Sequence, residues 1–293
     1  MKVTETTFNS KQPTAPQQSA YLKITMHNYK SEKITSHIYR IIEKTGVCCY
    51  LVKGTEKVCL IDTCFGVGNL KNFINQLTSK ELFVILTHGH YDHIGGSGYF
   101  DDLYMNLKDS DLYQKHSVYS LRIKGLQSEG FMETSQLFPV FSGIIKNISD
   151  GYIFDLGNVH VKMISVSGHT QGMMCPLIIE DHTIIFGDAC GEGTLLWDKY
   201  SSTVSEYKNS LMKLKSLENS YNLILRNHGN FESDKSLLNN VLECCDLIIS
   251  GKDDRQCISF SGISLYAAKT IDDHEKRIDG KHGNIFYSED KIK

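Results

Sequence analysis

The chain has 293 residues, of which 41% are apolar and 22% are charged, and its formal charge is −3. This balance is close to that of an ordinary soluble protein with a proper core. The lysines and arginines are scattered, which argues against the basic stripe of a nucleic-acid-binding surface. No apolar run approaches the roughly 18 residues of a membrane-spanning helix, so we expect neither nucleic acid nor a membrane as a partner.

The first 20 residues are rich in Thr, Ser, Gln and Pro and lack the apolar stretch of a signal peptide. They predict a flexible tail over residues 1–20 of a cytoplasmic protein, followed by a single domain over residues 21–293. Nine cysteines, an odd number without a CxxC pair, predict reduced thiols rather than a disulfide framework.

Strands dominate the first part of the predicted domain. Short apolar runs at residues 38–41, 47–52 and 58–61 are separated by turn-like Lys-Thr-Gly and Lys-Gly-Thr, which predicts antiparallel hairpins. The spacing of apolar residues predicts an amphipathic helix over 68–78, and a continuous apolar run predicts a buried strand over 82–86.

The second part alternates strands and helices. The stretch 109–148 predicts one helix at 111–116 and an apolar segment at 137–145. Strands are predicted at 159–166, 174–179, 183–186 and 221–225, and helices at 204–217 and 236–249. Clusters of strands broken by helices predict two sheets packed face to face with helices outside.

A dense cluster of metal-capable side chains follows the predicted strand 82–86. His88, His90, Asp92 and His93 form the pattern HxHxDH. In an extended chain His88 and His90 point to the same side and can share one ion, whereas Asp92 and His93 follow a turn and can face a second ion. Glycines at 89, 95 and 96 let backbone pass close to such a site. The motif therefore predicts a metal centre rather than a solvated polar turn.

Three further polar residues each stand at the end of an apolar run and next to a glycine. They are His169, Asp188 and His228. A catalytic zinc site needs at least three protein ligands per ion, so ligands beyond the motif are required. Strand ends gathered at one rim of a sheet would bring these residues to the motif. Each residue alone is a weak signal, and the set beside HxHxDH is a persuasive one.

On these residues the chain resembles the metallo-β-lactamase superfamily, and most of all its glyoxalase II-like hydrolase branch. The resemblance runs from about residue 34 to residue 228 in the family's order: Ile-Asp-Thr at a strand end, HxHxDH, Gly-His-Thr-x-Gly, Gly-Asp and a final His-Gly. It implies an α/β fold, a four-layer αββα sandwich of two mixed β-sheets with outer helices. Cys64 and Gln171 stand where the family usually has Gly and often has Pro.

The resemblance also implies roles for the site residues. Asp92 and Asp188 would be the catalytic carboxylates, and Asp62 would lie beneath the motif and support it. The ligands would divide between two divalent ions, with His88, His90 and His169 on the first, Asp92, His93 and His228 on the second, and Asp188 bridging both.

Two such ions would activate a bridging hydroxide for attack on a small ester, thioester or lactone. Imidazole and carboxylate ligands suit Zn²⁺ best here, and Fe²⁺ or Mn²⁺ would suit the same set. Tyr91 is a candidate proton donor, and Cys190 is a further candidate ligand because thiolates bind zinc well. The remaining histidines are not assigned as ligands; they are His27, His37, His116, His160, His182, His274 and His282.

Three alternatives stay open. The same centre could hydrolyse phosphodiesters or process RNA, although the dispersed charge argues against that substrate. A di-iron oxidoreductase of this fold usually has Glu where this chain has His90 and carries a flavin domain. A binding or structural protein with a closed site would need four ligands for one ion, fewer than are found here. The stretch 109–148 and the residues after 251 are expected to shape the substrate pocket, but their composition names no substrate and no oligomeric state.

Overall fold

The computed structural model describes residues 25–26, 28–132, 137–260 and 262–293. The predicted tail over residues 1–20 and His27 lie outside these residues. None of the helices in the described ranges combines the length and the apolar character needed to cross a membrane.

Eighteen strands lie in the described ranges, and most are only three to six residues long. They are β1 (Thr25–Met26), β2 (Tyr29–Lys33), β3 (Ile38–Glu43), β4 (Cys48–Lys53), β5 (Lys57–Ile61), β6 (Glu81–Ile85), β7 (Leu103–Met105), β8 (Lys146–Asn147), β9 (Ile153–Asp155), β10 (His160–Ser165), β11 (Met174–Ile178), β12 (Thr183–Ile185), β13 (Thr194–Leu196), β14 (Leu223–Leu225), β15 (Glu232–Ser233), β16 (Gln256–Phe260), β17 (Ile263–Ala267) and β18 (Ile285–Tyr287).

The same ranges contain six α-helices and five short 3-10 helices. The α-helices are α1 (Leu70–Leu77), α2 (Tyr91–Ile94), α3 (Ser110–His116), α4 (Tyr119–Ser128), α5 (Val204–Ser216) and α6 (Ser236–Ser250). The 3-10 helices span Ser97–Tyr99, Leu107–Asp109, Gly187–Ala189, Glu218–Ser220 and Glu289–Lys291.

The predicted helices 68–78, 111–116, 204–217 and 236–249 are confirmed as α1, α3, α5 and α6. Local signals set their ends. Helix α5 begins at a capping box, in which Thr203 and Glu206 each bond to the other's backbone N–H. Helix α6 ends at Gly251, whose left-handed φ of 66° suits a glycine.

The strands form three sheets. The first runs in chain order from β1 to β8, antiparallel up to β5 and parallel from β5 onwards. The second has the order β15-β14-β12-β11-β10-β9, with β12 and β14 parallel. The third, of four strands, has the order β13-β18-β17-β16.

Apolar side chains fill three spaces between layers. Ile61 and Ile85 of the first sheet pack against Met163 and Ile185 of the second in a core between the two sheets. A second core joins the outer face of the first sheet to α1 and α4, and a third joins the second sheet to α5 and α6. The order is therefore helix, sheet, sheet, helix, and the predicted four-layer sandwich is confirmed.

Helix α4 and the third sheet were not predicted. Ile258, Phe260, Ile263 and Leu265 alternate with polar residues around a Ser-Gly pair, which is a hairpin signal that was overlooked, whereas α4, β13 and β18 carry weak patterns. The buried positions of α4 are Arg122, Gly125 and Leu126, so only one of the three is apolar. Strands β13 and β18 have three residues each, too short for an alternating pattern to stand out. The third sheet packs against α6 through Ile285 and Tyr287.

Candidate metal centre

Seven side chains that the sequence singled out meet in two groups. Within each group the ligand atoms lie within 4.8 Å of one another, and each group can hold a metal ion. What we call the imidazole group consists of His88, His90 and His169, and the carboxylate group consists of Asp92, His93, Asp188 and His228.

Strand ends from both sandwich sheets deliver these residues. The loop after β6 carries His88 and His90, and the short helix α2 carries Asp92 and His93. His169 lies between β10 and β11, Asp188 lies in the 3-10 turn after β12, and His228 follows β14. The parallel pairing of β12 with β14 places the ends of these two strands side by side.

The imidazole group brings three ring nitrogens close together. His90 Nδ1 lies 3.0 Å from His88 Nε2 and 2.9 Å from His169 Nε2. Nitrogen ligands on one tetrahedral zinc ion would be about 3.3 Å apart, given Zn–N bonds of about 2.05 Å. The nitrogens therefore stand at close to the spacing that a single ion imposes.

Hydrogen bonds to the outer ring nitrogens turn the lone pairs towards the site. His169 Nδ1 is 3.1 Å from the carbonyl oxygen of Leu195, which can only accept, so this nitrogen carries the proton. His88 Nδ1 lies 3.0 Å from Thr87 Oγ1, whose own proton is donated to Asp62. In the neutral rings Nε2 is then the unprotonated atom, as metal binding requires.

The carboxylate group repeats this arrangement around His93. Its Nδ1 lies 2.9 Å from Asp62 Oδ2, and its Nε2 lies 3.3 Å from His228 Nε2. Asp92 Oδ2 is 3.3 Å from the same nitrogen of His228. Because an imidazole that donates to a buried carboxylate is held in one orientation, His93 presents a fixed Nε2 to this group.

Asp188 lies between the two groups. Its Oδ2 is 3.8 Å from His88 Nε2 and 3.7 Å from His169 Nε2, both in the imidazole group. The same oxygen is 3.3 Å from His93 Nε2, and Oδ1 is 3.5 Å from His228 Nε2. One carboxylate is thus within 4 Å of imidazoles from both groups.

The electrostatic environment differs between the groups. Burial lowers the pKa of His88 well below its usual value, with His93 and His90 adding to the effect, and burial likewise lowers the pKa of His90. These rings are therefore neutral, which is the form that binds metals. Burial also disfavours a charged Asp188, but His228 and His93 outweigh it and hold the pKa of Asp188 well below its usual range.

Asp62 supports the motif from below, as the resemblance implied. It is fully buried and accepts hydrogen bonds from Thr87 and Asn227 in addition to His93. The chain turns sharply here, with φ of 63° at Asp62 and 54° at Cys64. The tight turn therefore persists although Cys64 stands where a glycine would have no steric cost.

Close backbone contacts explain two of the glycines around the motif. A Cβ on Gly95 would lie 2.0 Å from the carbonyl oxygen of Phe65, and one on Gly89 would lie 2.8 Å from the backbone nitrogen of Tyr113. No side chain fits at either position without moving backbone.

Asp109 is a buried residue of the site that sequence reasoning missed. Its carboxylate accepts hydrogen bonds from the backbone N–H of Gly89 at 3.2 Å and of Gly172 at 2.6 Å, and from the Thr170 hydroxyl at 2.6 Å. It therefore joins the loop of His88 and His90 to the turn of His169. No local pattern marks it, because its partners lie 20 to 63 residues away along the chain.

Two other candidates have different surroundings. Cys190 is fully buried in the core beneath α5 and belongs to neither group. Tyr91 lines the cavity described below, and its ring stacks on His116 with centroids 5.2 Å apart. His116, which the sequence did not assign as a ligand, is buried, and its ring centroid lies 4.8 Å from that of His90.

The other unassigned histidines in the described ranges also lie outside both groups. His37 pairs with Asp181 at 2.7 Å, and His160 pairs with Glu180 at 2.6 Å. His182, His274 and His282 likewise belong to neither group.

A cavity of about 730 Å³ opens onto both groups and is bordered by His90, His169, Asp92, Asp188 and His228. Two segments of unassigned role supply much of the remaining wall. Helix α4 contributes Leu121 and Lys124, and the β16–β17 hairpin contributes Phe260 and Ile263. Both stretches that were expected to shape a pocket therefore do so.

A sequence model of the metallo-beta-lactamase superfamily matches residues 44–224, which include six of the seven gathered residues. The chain belongs to the metallo-beta-lactamase superfamily. This membership identifies the superfamily and not the glyoxalase II-like branch within it.

Curated members of the superfamily are similar over part of their length. The lactamase-like protein ptaB of Pestalotiopsis fici is 28% identical over 56% of this chain and 48% of its own length. The human acyl-coenzyme A thioesterase MBLAC2 is 24% identical, over 56% of this chain and 66% of its own. The probable polyketide biosynthesis zinc-dependent hydrolase BaeB of Bacillus velezensis is 23% identical, over 57% and 66%. The chain thus spans about half to two thirds of these relatives.

Solved structures share the fold at low sequence identity. A metallo-beta-lactamase family protein from Thermus thermophilus has a TM-score of 0.53 at 18% identity, over 70% of this chain and 76% of that one. The sec-alkylsulfatase Pisa1 from Pseudomonas sp. has a TM-score of 0.59 at 12% identity, over 75% and 42%. These likenesses establish the fold alone.

Proposed function

We propose that this chain is a metal-dependent hydrolase with a dinuclear centre. His88, His90 and His169 would hold one ion, Asp92, His93 and His228 would hold the other, and Asp188 would bridge them. The observation that carries the proposal is the meeting of these seven side chains in two groups with Asp188 within reach of both.

Two divalent cations, zinc by preference, supply Lewis acidity and a water nucleophile near neutral pH when bound. The chain's own residues prepare the site for them. Thr87, Asp62 and the Leu195 carbonyl fix the rings of three histidines, so that no rotation is needed when an ion enters. Tyr91 borders the cavity, and burial raises the pKa of its phenol, which is therefore protonated at neutral pH.

The substrate class we propose is a small ester, thioester or lactone. Two of the relatives are named as an acyl-coenzyme A thioesterase and a zinc-dependent hydrolase, which supports acyl transfer to water. The cavity volume of about 730 Å³ falls in the range of sites for small molecules. A cytoplasmic location and a small-molecule partner remain part of the proposal.

A second candidate is phosphodiester hydrolysis by the same centre. Lys115 and Lys124 border the cavity and could pair with phosphate oxygens. Acyl hydrolysis is preferred because apolar side chains of Leu195, Trp197, Phe260 and Ile263 also border the cavity, and a phosphodiester backbone would not use them.

A substrate panel tests both candidates. Protein with measured metal content would be assayed on thioesters, lactones, β-lactams and phosphodiesters, before and after chelation and after zinc is restored. We expect an ester-type substrate to turn over, activity to disappear on chelation and zinc to restore it. Activity that survives removal of the metal, or turnover of phosphodiesters alone, would overturn the acyl-hydrolase proposal.

A further inference from the structure

One wall of the cavity is apolar and comes from the third sheet. Leu195 and Trp197 lie on and just after β13, and Phe260 and Ile263 lie at the facing ends of β16 and β17. All four border the cavity. We call these four residues the apolar wall. Leu121 of α4 also borders the same cavity.

Strand register places the hairpin part of the wall on one face of the sheet. Phe260 is opposite Ile263, and Ile258 is opposite Leu265, in the antiparallel pair β16–β17. Side chains two residues apart share a face, so these four lie together. Leu195, Trp197, Ile258 and Phe260 pack against the buried cluster that contains Leu265.

The cluster behind the apolar wall is buried, whereas the wall residues themselves are partly exposed. Leu265 is only 1% exposed, whereas Ile263 is 38% exposed and Trp197 and Phe260 are partly buried. An apolar surface of this kind gains free energy when an apolar group covers it. Covering it from the cavity side would remove water from it without moving the sheet.

The wall is continuous with the proposed metal site. The carbonyl oxygen of Leu195 accepts the hydrogen bond from His169 Nδ1, so the first wall residue touches a proposed ligand. Six charged residues outside the two groups border the cavity, and none lies within a strand of the third sheet. Lys115, Lys124 and Glu129 come from α3, α4 and the residue after α4, Arg226 follows β14, and Glu192 and Asp198 each lie two residues from an end of β13. A bound molecule would therefore meet an apolar surface on the third sheet.

We propose that the apolar wall binds the hydrocarbon part of the substrate's acyl group and makes Phe260 and Ile263 determinants of acyl-chain preference. This inference rests on the proposed acyl-hydrolase function and adds the substrate class, an ester or thioester of an aliphatic or aromatic acid rather than of a small polar acid. The strands β16–β18 lie beyond residues 44–224, so the wall's hairpin is outside the segment that the superfamily model matches.

The chain offers a direct readout of binding, because Trp197 is its only tryptophan. Intrinsic fluorescence would be titrated with butyrate, hexanoate, octanoate and decanoate, the acids that hydrolysis would release. A carboxylate that reaches the metal site contributes equally for every acid, so the chain-length dependence isolates the apolar contact. Complete burial of each added methylene would strengthen binding by about fourfold.

Variants separate the wall from general effects. We expect Ile263→Ser to weaken decanoate binding by about fivefold and butyrate binding by less than that. Ile153→Ser is the matched control, since Ile153 is a strand isoleucine that is 49% exposed and does not border the cavity. Phe260→Ser should reproduce the effect of Ile263→Ser, with circular dichroism verifying that the hairpin still folds.

Binding that is independent of chain length, or an Ile263→Ser variant equal to Ile153→Ser, would overturn the inference. These titrations need no turnover, so they remain informative if the substrate panel fails. Chain-length-dependent binding without ester hydrolysis would retain the wall and reject the proposed reaction. Ester hydrolysis without chain-length-dependent binding would retain the proposed reaction and reject the role of the apolar wall.

Discussion

The placement of single protons decides what the seven gathered side chains can do. A histidine ring has two nitrogens, and only the one without a proton can bind a metal. In this chain the Leu195 carbonyl, Thr87 and Asp62 each accept the outer N–H of one ring, so that each ring, when neutral, has its lone pair on the inward-facing nitrogen. The site is therefore prepared by residues that are not themselves ligands.

Asp188 is the proposed bridge between the imidazole group and the carboxylate group. Asp188→Ala should lower the bound metal below two ions per chain and reduce kcat/KM by more than about a hundredfold, the upper range for residues that only support a ligand. Steady-state kinetics and elemental analysis would measure both. Asp101→Ala is the control, since that side chain is 96% exposed and does not border the cavity. Unchanged activity and metal content in Asp188→Ala would remove the bridging assignment.

The proposed ligands could be found from sequence because each has a local marker. Four stand in HxHxDH, and the other three follow apolar runs beside glycines. Asp109 has no such marker, since its role appears only when the chain brings Gly89 and Gly172 to it. Arg122 is another example: it is 1% exposed and donates to the carbonyls of Phe65 and Gly95, although an arginine in sequence suggests the surface.

At the scale of elements, Asp109 holds two loops in register. Asp109→Ala would leave two buried backbone N–H groups and the Thr170 hydroxyl without their acceptor, so we expect unfolding to become easier by about 3 kcal/mol. Urea unfolding would measure this loss, and metal analysis should show weaker retention at the imidazole group. Asp111→Ala on the neighbouring helix α3 is the control, because Asp111 is exposed. Equal stability of the two variants would show that Asp109 does not tie the loops.

Glu43 links the end of β3 to Tyr29 of β2 and to the backbone N–H of Val67 before α1. Burial raises its pKa from 4.5 to about 7, although Thr45, Val67 and Tyr29 donate hydrogen bonds that oppose the shift. The folded protein therefore keeps a proton that the unfolded chain loses, and this contribution to stability is lost as the pH rises from 4.5 to about 7.

Replacing the carboxyl with an amide removes that dependence. We expect the difference in unfolding free energy between the native protein and Glu43→Gln to change by about 3 kcal/mol between pH 4.5 and pH 7.5. Urea titrations at a series of pH values would measure it. Parallel pH profiles for the two proteins would mean that Glu43 is not held protonated.

Elements with strong periodicity were predicted and those without it were missed. Helix α5 has apolar residues at regular intervals behind a capping box, and the runs at 47–52 and 58–61 became β4 and β5. Helix α4 buries Arg122 and Gly125, and β13 and β18 of the third sheet have three residues each and are far apart in sequence, so tertiary contacts and not local pattern fix them.

For the whole molecule, the fold followed from the resemblance and from the alternation of strand clusters with helices. The third sheet is the main addition to that scheme, and it supplies a wall of the cavity. A sequence can therefore reveal the chemistry of this site while leaving its substrate open, because α4, β13 and the β16–β17 hairpin reach the cavity only through tertiary contacts that no local pattern shows.

The cysteines provide a test of packing throughout the molecule. All nine are free, and eight of them are buried while Cys257 is exposed. Burial raises the pKa of buried thiols such as Cys59 and Cys175, which further reduces the reactive thiolate. A thiol-specific reagent should therefore modify one cysteine per folded chain rapidly and all nine in denaturant. Several fast-reacting thiols in the folded protein would contradict this packing.

We propose that two ions share Asp188 at the meeting point of the sandwich sheets. Anomalous diffraction at the zinc absorption edge, from crystals grown with zinc, would locate the ions. We expect two peaks about 3.5–4 Å apart, one against His88, His90 and His169 and the other against Asp92, His93 and His228, with Asp188 touching both. A single peak, or peaks that lie away from these residues, would contradict the proposed centre.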